Sequence, residues 1–343
     1  MAILVTGGAG YIGSHACLVL LQAGEQVVVL DNLSNSQRES LERVQRLAGR
    51  PLLFIEGDIN DRPLLDTLFR QQKISAVMHF AGLKAVAESV AEPERYYRNN
   101  VLGSQSLLGA MEQAGVGDII FSSSATVYGD PDRVPIDESA GVHPTNPYGD
   151  NKAEIEKLLM ARALTAGSRW RVALLRYFNP VGAHASGAIG EDPNGIPNNL
   201  LPYISKVAVG RLQELSVFGS DYPTVDGSGV RDYIHVMDLA EGHLAALRWL
   251  QQQSSDKACC EIFNLGTGKG YSVLQVLRAF EQASGKKIPY RVAGRRAGDI
   301  ATCYADASKA EKILGWKAKR SLDDMMRDAW NWQQKNPDGY RPI

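Results

Sequence analysis

Two side chains that can share a proton lie four residues apart in the segment Tyr148-Gly149-Asp150-Asn151-Lys152. In a helix, an i, i+4 spacing brings two side chains onto the same face, one turn apart. A free tyrosine has a pKa of about 10, which is too high for a base at neutral pH, and lowering it to about 7 takes roughly 4 kcal/mol. Neighbouring positive charges favour the phenolate. We therefore predict that Tyr148 transfers a proton and that the Lys152 ammonium supports it.

A run of hydroxyl side chains follows an apolar stretch in Phe121-Ser122-Ser123-Ser124-Ala125-Thr126. Ligands of α/β proteins bind at the carboxyl ends of the strands, so these hydroxyls are expected where chemistry takes place. We predict that Ser124 donates a hydrogen bond to a substrate oxygen and helps relay its proton to Tyr148. A tyrosine–lysine pair alone is also common on surface helices. Its position after a strand that ends in serines favours catalysis.

A glycine-rich turn, Thr6-Gly7-Gly8-Ala9-Gly10-Tyr11-Ile12-Gly13, follows the first apolar run. Its spacing fits both G-x-G-x-x-G and G-x-x-G-x-x-G, in which glycine permits positive φ angles and the close approach of a pyrophosphate. The helix N-terminus that follows attracts phosphates. Asp31, 18 residues past Gly13, can bind both ribose hydroxyls and repel a 2′-phosphate. The sequence predicts NAD rather than NADP, and the oxidised nicotinamide supplies the second positive charge beside Tyr148.

The first half of the chain alternates short apolar runs with amphipathic stretches, the pattern of a parallel sheet covered by helices. The predicted strands are Ile3–Thr6, Gln26–Leu30, Leu52–Glu56, Ala76–Phe80, Asp118–Ser122 and Arg171–Arg176. The predicted helices include Tyr11–Gln22, Arg62–Gln71, Glu94–Ala114 and Tyr148–Leu164. This order is typical of a Rossmann-type, doubly wound α/β fold.

A change of composition after Asn179, toward glycine, proline and asparagine, predicts a second, smaller lobe of mixed α/β structure. We assign residues 1–180 to an NAD-binding domain, with a return segment at about 231–266 that contains the strand Glu261–Leu265. Residues 181–230 and 267–343 are assigned to a substrate lobe. Helices are predicted there near Leu200–Val209 and Leu322–Gln334.

The composition excludes several classes of function. Lysine and arginine total 37 against 38 aspartates and glutamates, which gives no reason to expect a nucleic-acid or anionic-membrane partner. The four cysteines form no disulfide framework, and the six histidines lack the spacing of metal ligands. The sequence contains neither a signal peptide nor an apolar run of about 20 residues that could span a bilayer. We predict a cytoplasmic protein without a metal.

Longer strings resemble the extended short-chain dehydrogenase/reductase family and, within it, the nucleotide-sugar 4-epimerases. The strings are Leu4-Val5-Thr6-Gly7-Gly8, His79-Phe80-Ala81-Gly82-Leu83-Lys84-Ala85-Val86, Ser122-Ser123-Ser124-Ala125-Thr126-Val127-Tyr128-Gly129, Leu175-Arg176-Tyr177-Phe178-Asn179-Pro180 and Arg231-Asp232-Tyr233-Ile234-His235-Val236. The similarity runs from the first residues to the last helix. It implies a homodimer, through a helix pair such as Glu94–Ala114 and Tyr148–Leu164. Those two sequences would equally suit packing within one chain.

The resemblance also implies two sets of binding residues. The NAD contacts would be Gly7, Gly10, Tyr11, Ile12, Gly13, Asp31, Asn32, Asn35, Ser36, Asp58, Ile59, Phe80, Ala81, Gly82, Lys84, Asn99, Ser124, Tyr148, Lys152 and Phe178. The substrate contacts would be Ser124, Tyr148, Asn179, Asn199, Leu200, Ser216, Phe218, Arg231, Arg296, Asp299 and Cys303. Arginine is the natural partner of a pyrophosphate, and an aromatic ring such as Phe218 suits a uracil.

The implied reaction is the reversible C4 epimerisation of UDP-glucose and UDP-galactose through a 4-keto sugar, with NAD reduced and reoxidised in each turnover. A 4,6-dehydratase is disfavoured because Ala125-Thr126, rather than a pair of carboxylates, follows Ser124. A C4 epimerase of UDP-uronic acids or UDP-pentoses is an open alternative. So is a non-catalytic NAD-binding sensor, although such proteins commonly lack the tyrosine or the lysine.

Cys303 lies four residues after Asp299, at a position that walls the sugar pocket in epimerases of this type. The matching residue there is either a bulky tyrosine or a small side chain. Since a cysteine leaves more volume, we predict that N-acetylated UDP-hexosamines are also accepted. A role for Cys303 as a small packing residue is the alternative.

Overall fold

A parallel sheet with helices on both faces is the centre of the computed structural model, which describes residues 1–195, 197–296 and 298–340. In chain order the strands are Ala2–Thr6 (β1), Gln26–Asp31 (β2), Leu53–Glu56 (β3), Ile74–His79 (β4), Asp118–Ser124 (β5), Arg171–Tyr177 (β6), Asn179–Val181 (β7), Leu215–Phe218 (β8), Val230–His235 (β9), Cys259–Leu265 (β10), Gly270–Ser272 (β11), Tyr290–Ala293 (β12) and Thr302–Cys303 (β13).

The helices alternate with these strands through the first half of the chain. They are Tyr11–Gln22 (α1), Arg38–Ala48 (α2), Arg62–Gln71 (α3), Val86–Ala91 (α4), Pro93–Tyr96 (α5), Gly103–Gln113 (α6), Pro147–Leu164 (α7), Leu200–Ala208 (α8), Val236–Gln252 (α9), Val273–Ser284 (α10), Ser308–Leu314 (α11) and Leu322–Lys335 (α12). A π-helical turn, Tyr97–Leu102, joins α5 to α6, and a 3-10 turn, Ala125–Tyr128, follows β5. The predicted strands and helices are present, with ends within two residues of the prediction.

The large sheet has the strand order β3-β2-β1-β4-β5-β6-β10, with parallel pairing throughout. The order reverses direction between β1 and β4, and in doubly wound sheets ligands bind outside the carboxyl ends of the strands at such a point. This arrangement confirms the predicted fold class. Residues 231–235 of the predicted return segment instead lie in β9, within a second sheet, whereas β10 forms the edge of the large sheet.

Two apolar cores cover the two faces of the large sheet, which explains why its strands read as continuous apolar runs. One core joins the sheet to α1, α2 and α9, and the other joins it to α3, α6 and α7. Leu4, Val5, Val77 and Ile119 are fully buried. Burial of each such side chain stabilises the fold by about 1.5–3 kcal/mol relative to exposure.

The predicted helix Glu94–Ala114 contains the π-helical turn as a wider section in its middle. This turn carries Asn100, whose side-chain oxygen accepts from the backbone N–H of Leu83 at 2.7 Å and whose amide donates to the Leu83 carbonyl at 3.0 Å. Wide turns of this kind are frequent at functional sites. Here the turn secures the loop after β4 and places Asn99 beside it.

The second half of the chain forms two small sheets. Strand β9 pairs with β11, β13 and β7, while β8 pairs with β12. A third apolar core fills the space between these strands and α8, α10 and α12. Because β7 starts two residues after β6, the β9 sheet is attached directly to the carboxyl end of the large sheet. Among the described residues, no helix is long and apolar enough to cross a membrane.

Candidate active site

The glycine turn after β1 is shaped by backbone contacts that exclude side chains. Gly7 has a φ of +71°, and a Cβ atom there would lie 2.6 Å from the backbone nitrogen of Ala81. A Cβ on Gly13 would lie 2.2 Å from the carbonyl oxygen of Gly7. Gly10 precedes α1 and provides no side-chain cap, so the first N–H groups of the helix have no side-chain partner there. The turn is therefore a cradle for a phosphate group.

Asp31 closes the same turn from the end of β2. One carboxylate oxygen accepts from the backbone N–H of Ala9 at 3.0 Å. The other accepts from the backbone N–H of Leu33 at 2.9 Å and from the Ser36 hydroxyl at 2.8 Å. These bonds hold the carboxylate beside the glycine turn. A ribose that follows the phosphate would meet it there.

A cavity of about 580 Å³ extends from this turn across the carboxyl ends of β1 and β4. The predicted cofactor residues that line it are Gly7, Gly10, Tyr11, Ile12, Gly13, Asp31, Asn32, Asn35, Ser36, Asp58, Ile59, Phe80, Ala81, Gly82, Lys84, Asn99, Tyr148 and Lys152. Ser124 and Phe178, predicted for the same role, lie outside its lining. The described residues include no cluster of histidine, cysteine and carboxylate side chains that could hold a metal.

Tyr148 lies in the first turn of α7, where it is half-buried and lines the cavity. The helix begins cleanly because the Asn146 side chain accepts from the backbone N–H of Gly149 at 3.0 Å and Pro147 occupies the first turn. Burial raises the pKa of Tyr148 to about 12, and a hydrogen bond with Ser124 opposes that shift. The pKa of a free tyrosine, about 10, therefore gives too small a value for the free energy needed to lower the pKa of Tyr148 to neutrality. Lowering the pKa from about 12 to about 7 takes roughly 7 kcal/mol.

Lys152 lies one turn further along α7, as its spacing predicts. Its Nζ donates to the Ser122 carbonyl at 2.6 Å and lies 4.8 Å from the centre of the Phe121 ring. The distance from Nζ to the centre of the Tyr148 ring is 5.8 Å. Burial lowers the pKa of Lys152 to about 8, and the charge of Glu156 opposes that shift. At neutral pH the amine is therefore mainly an ammonium that faces the phenol.

The predicted substrate residues are divided between this cavity and the small sheets. Tyr148 and Asn199 line the cavity. The others, which lie outside its lining, are Ser124, Asn179, Leu200, Ser216, Phe218, Arg231, Arg296, Asp299 and Cys303. Most of these stand on or next to β7, β8, β9 and β13. The nucleotide part of a substrate would extend from the cavity toward those strands.

Two of the predicted arginines converge on one tyrosine of the β9 sheet. Burial raises the pKa of Tyr233 to about 12, and the charges of Arg231 and Arg296 both oppose that shift. The guanidinium of Arg296 stacks 4.7 Å from the centre of the Phe218 ring and pairs with Asp299 at 2.9 Å. This places two positive charges and an aromatic ring in one region, although they are distant in sequence.

Cys303 is buried and pairs in parallel register with Arg231. It belongs to a small apolar cluster with Phe178, Ala125 and Ala305. This cluster lies behind the end of β5, next to the 3-10 turn that follows Ser124. Phe178 therefore packs toward the substrate side rather than into the cofactor cavity.

A strap formed by residues 190–195 and 197–199 lines the cavity, and the sequence did not predict it. Glu191 accepts from Lys84 Nζ at 3.0 Å and from the Asn199 side-chain amide at 3.1 Å. The Asn194 amide donates to the Ser34 carbonyl at 3.1 Å. The strap has no regular structure and no motif, so its position could not be read from spacing. The glycine and proline content of the segment was its only visible signal.

Comparison with known proteins agrees with this geometry. Residues 4–329 match a family model described as GDP-mannose 4,6 dehydratase. The UDP-glucose 4-epimerase of Bacillus subtilis (strain 168) is 59% identical over 342 residues, which cover 99% of each chain. The UDP-glucose 4-epimerase of Homo sapiens is 56% identical over 348 residues, with 98% of each chain covered.

A solved structure is similar along the whole chain. The UDP-glucose 4-epimerase from Bifidobacterium longum, in complex with NAD+ and UDP, superposes with a TM-score of 0.95. It is 52% identical in sequence, and the match covers 99% of this chain and 100% of that one. The shared residues therefore extend over both the large sheet and the small sheets. This chain belongs to the UDP-glucose 4-epimerase family, within the extended short-chain dehydrogenases/reductases.

Proposed function

We propose that this chain is an NAD-dependent isomerase that interconverts UDP-glucose and UDP-galactose at C4. The observation that carries the proposal is that Tyr148 and Lys152 line the same cavity as the glycine turn and Asp31. A proton-transferring group and a dinucleotide cradle are thus brought together. The cradle, in which added Cβ atoms would collide with backbone, fits a pyrophosphate.

The cofactor and the side chains have separate tasks in this reaction. NAD, when bound, supplies a reversible hydride acceptor for C4, so it is regenerated in each turnover. Tyr148 takes the proton of the 4-hydroxyl and later returns it to the same C4 oxygen, after the keto sugar has presented its opposite face. Ser124 bonds the same phenol and provides a second hydroxyl beside the reacting oxygen. Lys152 contributes positive charge that favours the phenolate.

Turnover requires the 4-keto sugar to rotate while the nucleotide stays bound. Arg231 and Arg296 supply two charges for the pyrophosphate, and Phe218 supplies a ring for the uracil. These groups lie outside the lining of the cofactor cavity. A grip on the nucleotide that is separate from the catalytic helix allows the sugar to turn without release. Asn179, Asn199, Leu200, Ser216 and Asp299 complete the proposed substrate set.

The alternatives differ in the sugar on which the enzyme acts. The residues after Ser124 are Ala125 and Thr126, so the carboxylate pair expected of a 4,6-dehydratase is missing from that position. UDP-uronic acids and UDP-pentoses are distinguished from UDP-hexoses by direct assay. A non-catalytic sensor is disfavoured because the tyrosine and the lysine are both present and both face the cavity.

The decisive experiment is product analysis without added cofactor. Purified protein is incubated with UDP-galactose, and in parallel with a UDP-pentose and a UDP-uronic acid, and the products are separated by chromatography. We expect UDP-glucose from UDP-galactose, supported by NAD that purifies with the protein. A preparation that carries NAD yet leaves UDP-galactose unchanged would refute the proposal.

Cys303 extends the proposal to N-acetylated sugars. Its side chain is small and packs beside Phe178 and Ala125, at the end of β5. We predict interconversion of UDP-GlcNAc and UDP-GalNAc, and we expect Cys303→Tyr to abolish it because the larger ring fills the space. Cys303→Ala is the matched control and should keep both activities. Retained UDP-galactose turnover in Cys303→Tyr shows that the variant is folded, whereas unchanged UDP-GalNAc turnover there would remove Cys303 from specificity.

We also propose a cytoplasmic homodimer. The π-helical turn packs against α7 and leaves Tyr97 and Leu102 exposed, and Leu164 at the end of α7 is 82% exposed. Exposed apolar side chains on two adjoining helices suit a second copy of the chain. The four cysteines are free, which suits a reducing compartment. Sedimentation analysis at several protein concentrations tests the dimer.

A further inference from the structure

The catalytic face of α7 continues beyond the tyrosine and the lysine. Tyr148 bonds the Ser124 hydroxyl, and Lys152 donates to the Ser122 carbonyl at 2.6 Å. The next residue on this face, one turn further along, is Glu156. Three side chains of α7, each one turn apart, are thus joined to the three serines at the end of β5.

Glu156, like Tyr148 and Lys152, is hydrogen-bonded to residues outside its own helix. Its Oε1 accepts from the Ser123 hydroxyl at 2.5 Å and from Arg176 Nε at 2.9 Å. Its Oε2 accepts from Arg176 Nη2 at 2.6 Å. Glu156 is 1% exposed and Arg176 is 2% exposed. Ser123 on β5 and Arg176 on β6 therefore both bind the carboxylate. The Arg176 guanidinium also stacks 4.8 Å from the centre of the Tyr128 ring.

A buried ion pair in this position needs a reason other than stability. Removing two charges from water costs about as much as their attraction returns, and apolar residues of similar volume are often equally stable. The carboxylate member of the pair, Glu156, lies one turn beyond the catalytic lysine on the same face of α7, and Arg176 reaches it from β6. We therefore expect the ion pair to act on Lys152.

The other groups around Lys152 carry no charge that could replace Glu156. His79 on β4 is neutral because burial lowers its pKa to about 3, and the charge of Lys152 adds to that shift. Tyr177 on β6 is neutral because burial raises its pKa. From β5 the ammonium meets the Phe121 ring and a carbonyl. On α7 itself it lies 5.8 Å from the centre of the Tyr148 ring and one helical turn from Glu156.

We propose that Glu156, held by Arg176 and Ser123, is a positioning residue that keeps the Lys152 side chain charged and aligned toward Tyr148. The inference rests on the proposed function, because it assigns Glu156 a part in that same proton transfer. Glu156 touches neither the substrate nor the cofactor cavity and acts through Lys152 alone. Without its negative charge, the amine is neutralised at lower pH and the phenolate loses support.

The test replaces the ion pair as a whole. Glu156→Gln alone leaves a buried guanidinium uncompensated and is expected to destabilise the fold. The paired variant Glu156→Gln/Arg176→Met keeps the volume and removes both charges. We expect it to fold, to retain NAD, and to show a kcat–pH profile whose alkaline limb moves about one pH unit toward acid, equivalent to a tenfold change in the protonation equilibrium of Lys152.

A second measurement follows the amine directly. Acetic anhydride acetylates only neutral amines, so the pH dependence of Lys152 acetylation, measured by peptide mass spectrometry, reports its charge. Lys287, whose side chain is 94% exposed, serves as the internal standard. In the paired variant we expect Lys152 to react at lower pH, with Lys287 unchanged.

A matched control lies at the opposite end of the same two strands. Arg171 and Asp118, at the first positions of β6 and β5, form a bidentate pair at 2.6 and 2.7 Å. Asp118→Asn/Arg171→Met should leave the pH profile and Lys152 acetylation as in the wild type. A paired Glu156 variant whose profile and acetylation coincide with those of the wild type would overturn the inference. Absence of epimerisation in the wild type would instead count against the proposed function, while the acetylation result still decides the role of Glu156.

Discussion

The cofactor side and the sugar side of this molecule are built in different ways. On the cofactor side, the glycine turn, Asp31 and the loop after β4 follow the carboxyl ends of neighbouring strands and line one cavity. On the sugar side, Phe218, Arg231 and Arg296 come from separate strands and loops of the small sheets. The difference teaches that a site made by one sheet edge can be read from local motifs. A site made by several loops depends on how those loops are folded together.

The two sides also differ in how firmly they are held. Lys152 is 5% exposed and bonded to β5, and the half-buried Tyr148 is hydrogen-bonded to Ser124. In contrast, the Arg296 side chain is 54% exposed, and its ion pair with Asp299 spans only three residues. In the proposed reaction, the proton transfer takes place on the more buried cofactor side, and the nucleotide is bound on the more exposed sugar side. Variants on the two sides should therefore affect different kinetic constants.

The largest effect is expected on the cofactor side, from Tyr148→Phe. Loss of the phenolic hydroxyl removes the proton-transferring group, so kcat should fall by about 10²–10⁴-fold. NAD should stay bound, because the glycine turn and Asp31 are untouched. Turnover of UDP-galactose and NAD released on denaturation are the two measurements.

Tyr177→Phe is the matched control for that variant. Tyr177 lines the same cavity, but its hydroxyl is bonded to Ser122 rather than to Ser124. It should keep most of the activity. Near-normal turnover in Tyr148→Phe would contradict the role of Tyr148 and remove the contrast between the two sides.

A smaller effect, on KM rather than kcat, is expected on the sugar side from Arg231→Ala. Hydrogen bonds to charged groups contribute about 1.5–3 kcal/mol, so KM for UDP-galactose should rise by about tenfold to a hundredfold. The control is Arg295→Ala, because Arg295 pairs with the exposed Asp221 and stacks on Tyr222 instead. A loss confined to kcat in Arg231→Ala would mean that this arginine serves the chemistry, which would break the comparison.

The smallest effect is expected from Glu191→Gln, in the strap that connects the two sides. The variant removes the negative charge of Glu191, to which Lys84 and Asn199 both donate. Because Lys84 is partly exposed, the interaction free energy lost is about 0.2–1 kcal/mol. NAD should dissociate up to about fivefold faster, measured by dilution and filtration. Glu214→Gln, at an exposed pair with Arg291, is the control and should have no effect. Equal dissociation rates in the two variants would show that the strap does not retain the cofactor.

Much of the site was predictable because its motifs lie at element boundaries. The i, i+4 spacing of Tyr148 and Lys152 is kept in α7, and β5 continues past the apolar run to end at Ser124. A sequence does not reveal the surroundings that raise the pKa of the Tyr148 phenol. The Glu156–Arg176 pair was missed although Glu156 continues the same spacing. Its partner lies on another strand, which no local pattern indicates.

The sequence by itself determined the strands, the glycine turn and the helical face that carries Tyr148 and Lys152, because each has a pattern of residue types that is complete within a short segment. Only the tertiary structure decided which distant side chains meet. It brought the charges of Arg231 and Arg296 within range of Tyr233, placed residues 190–195 and 197–199 along the cavity, and gave the Tyr148 phenol surroundings that raise its pKa. Burial and long-range charge are properties of the assembled fold, and they set the pKa values on which the proposed reaction depends.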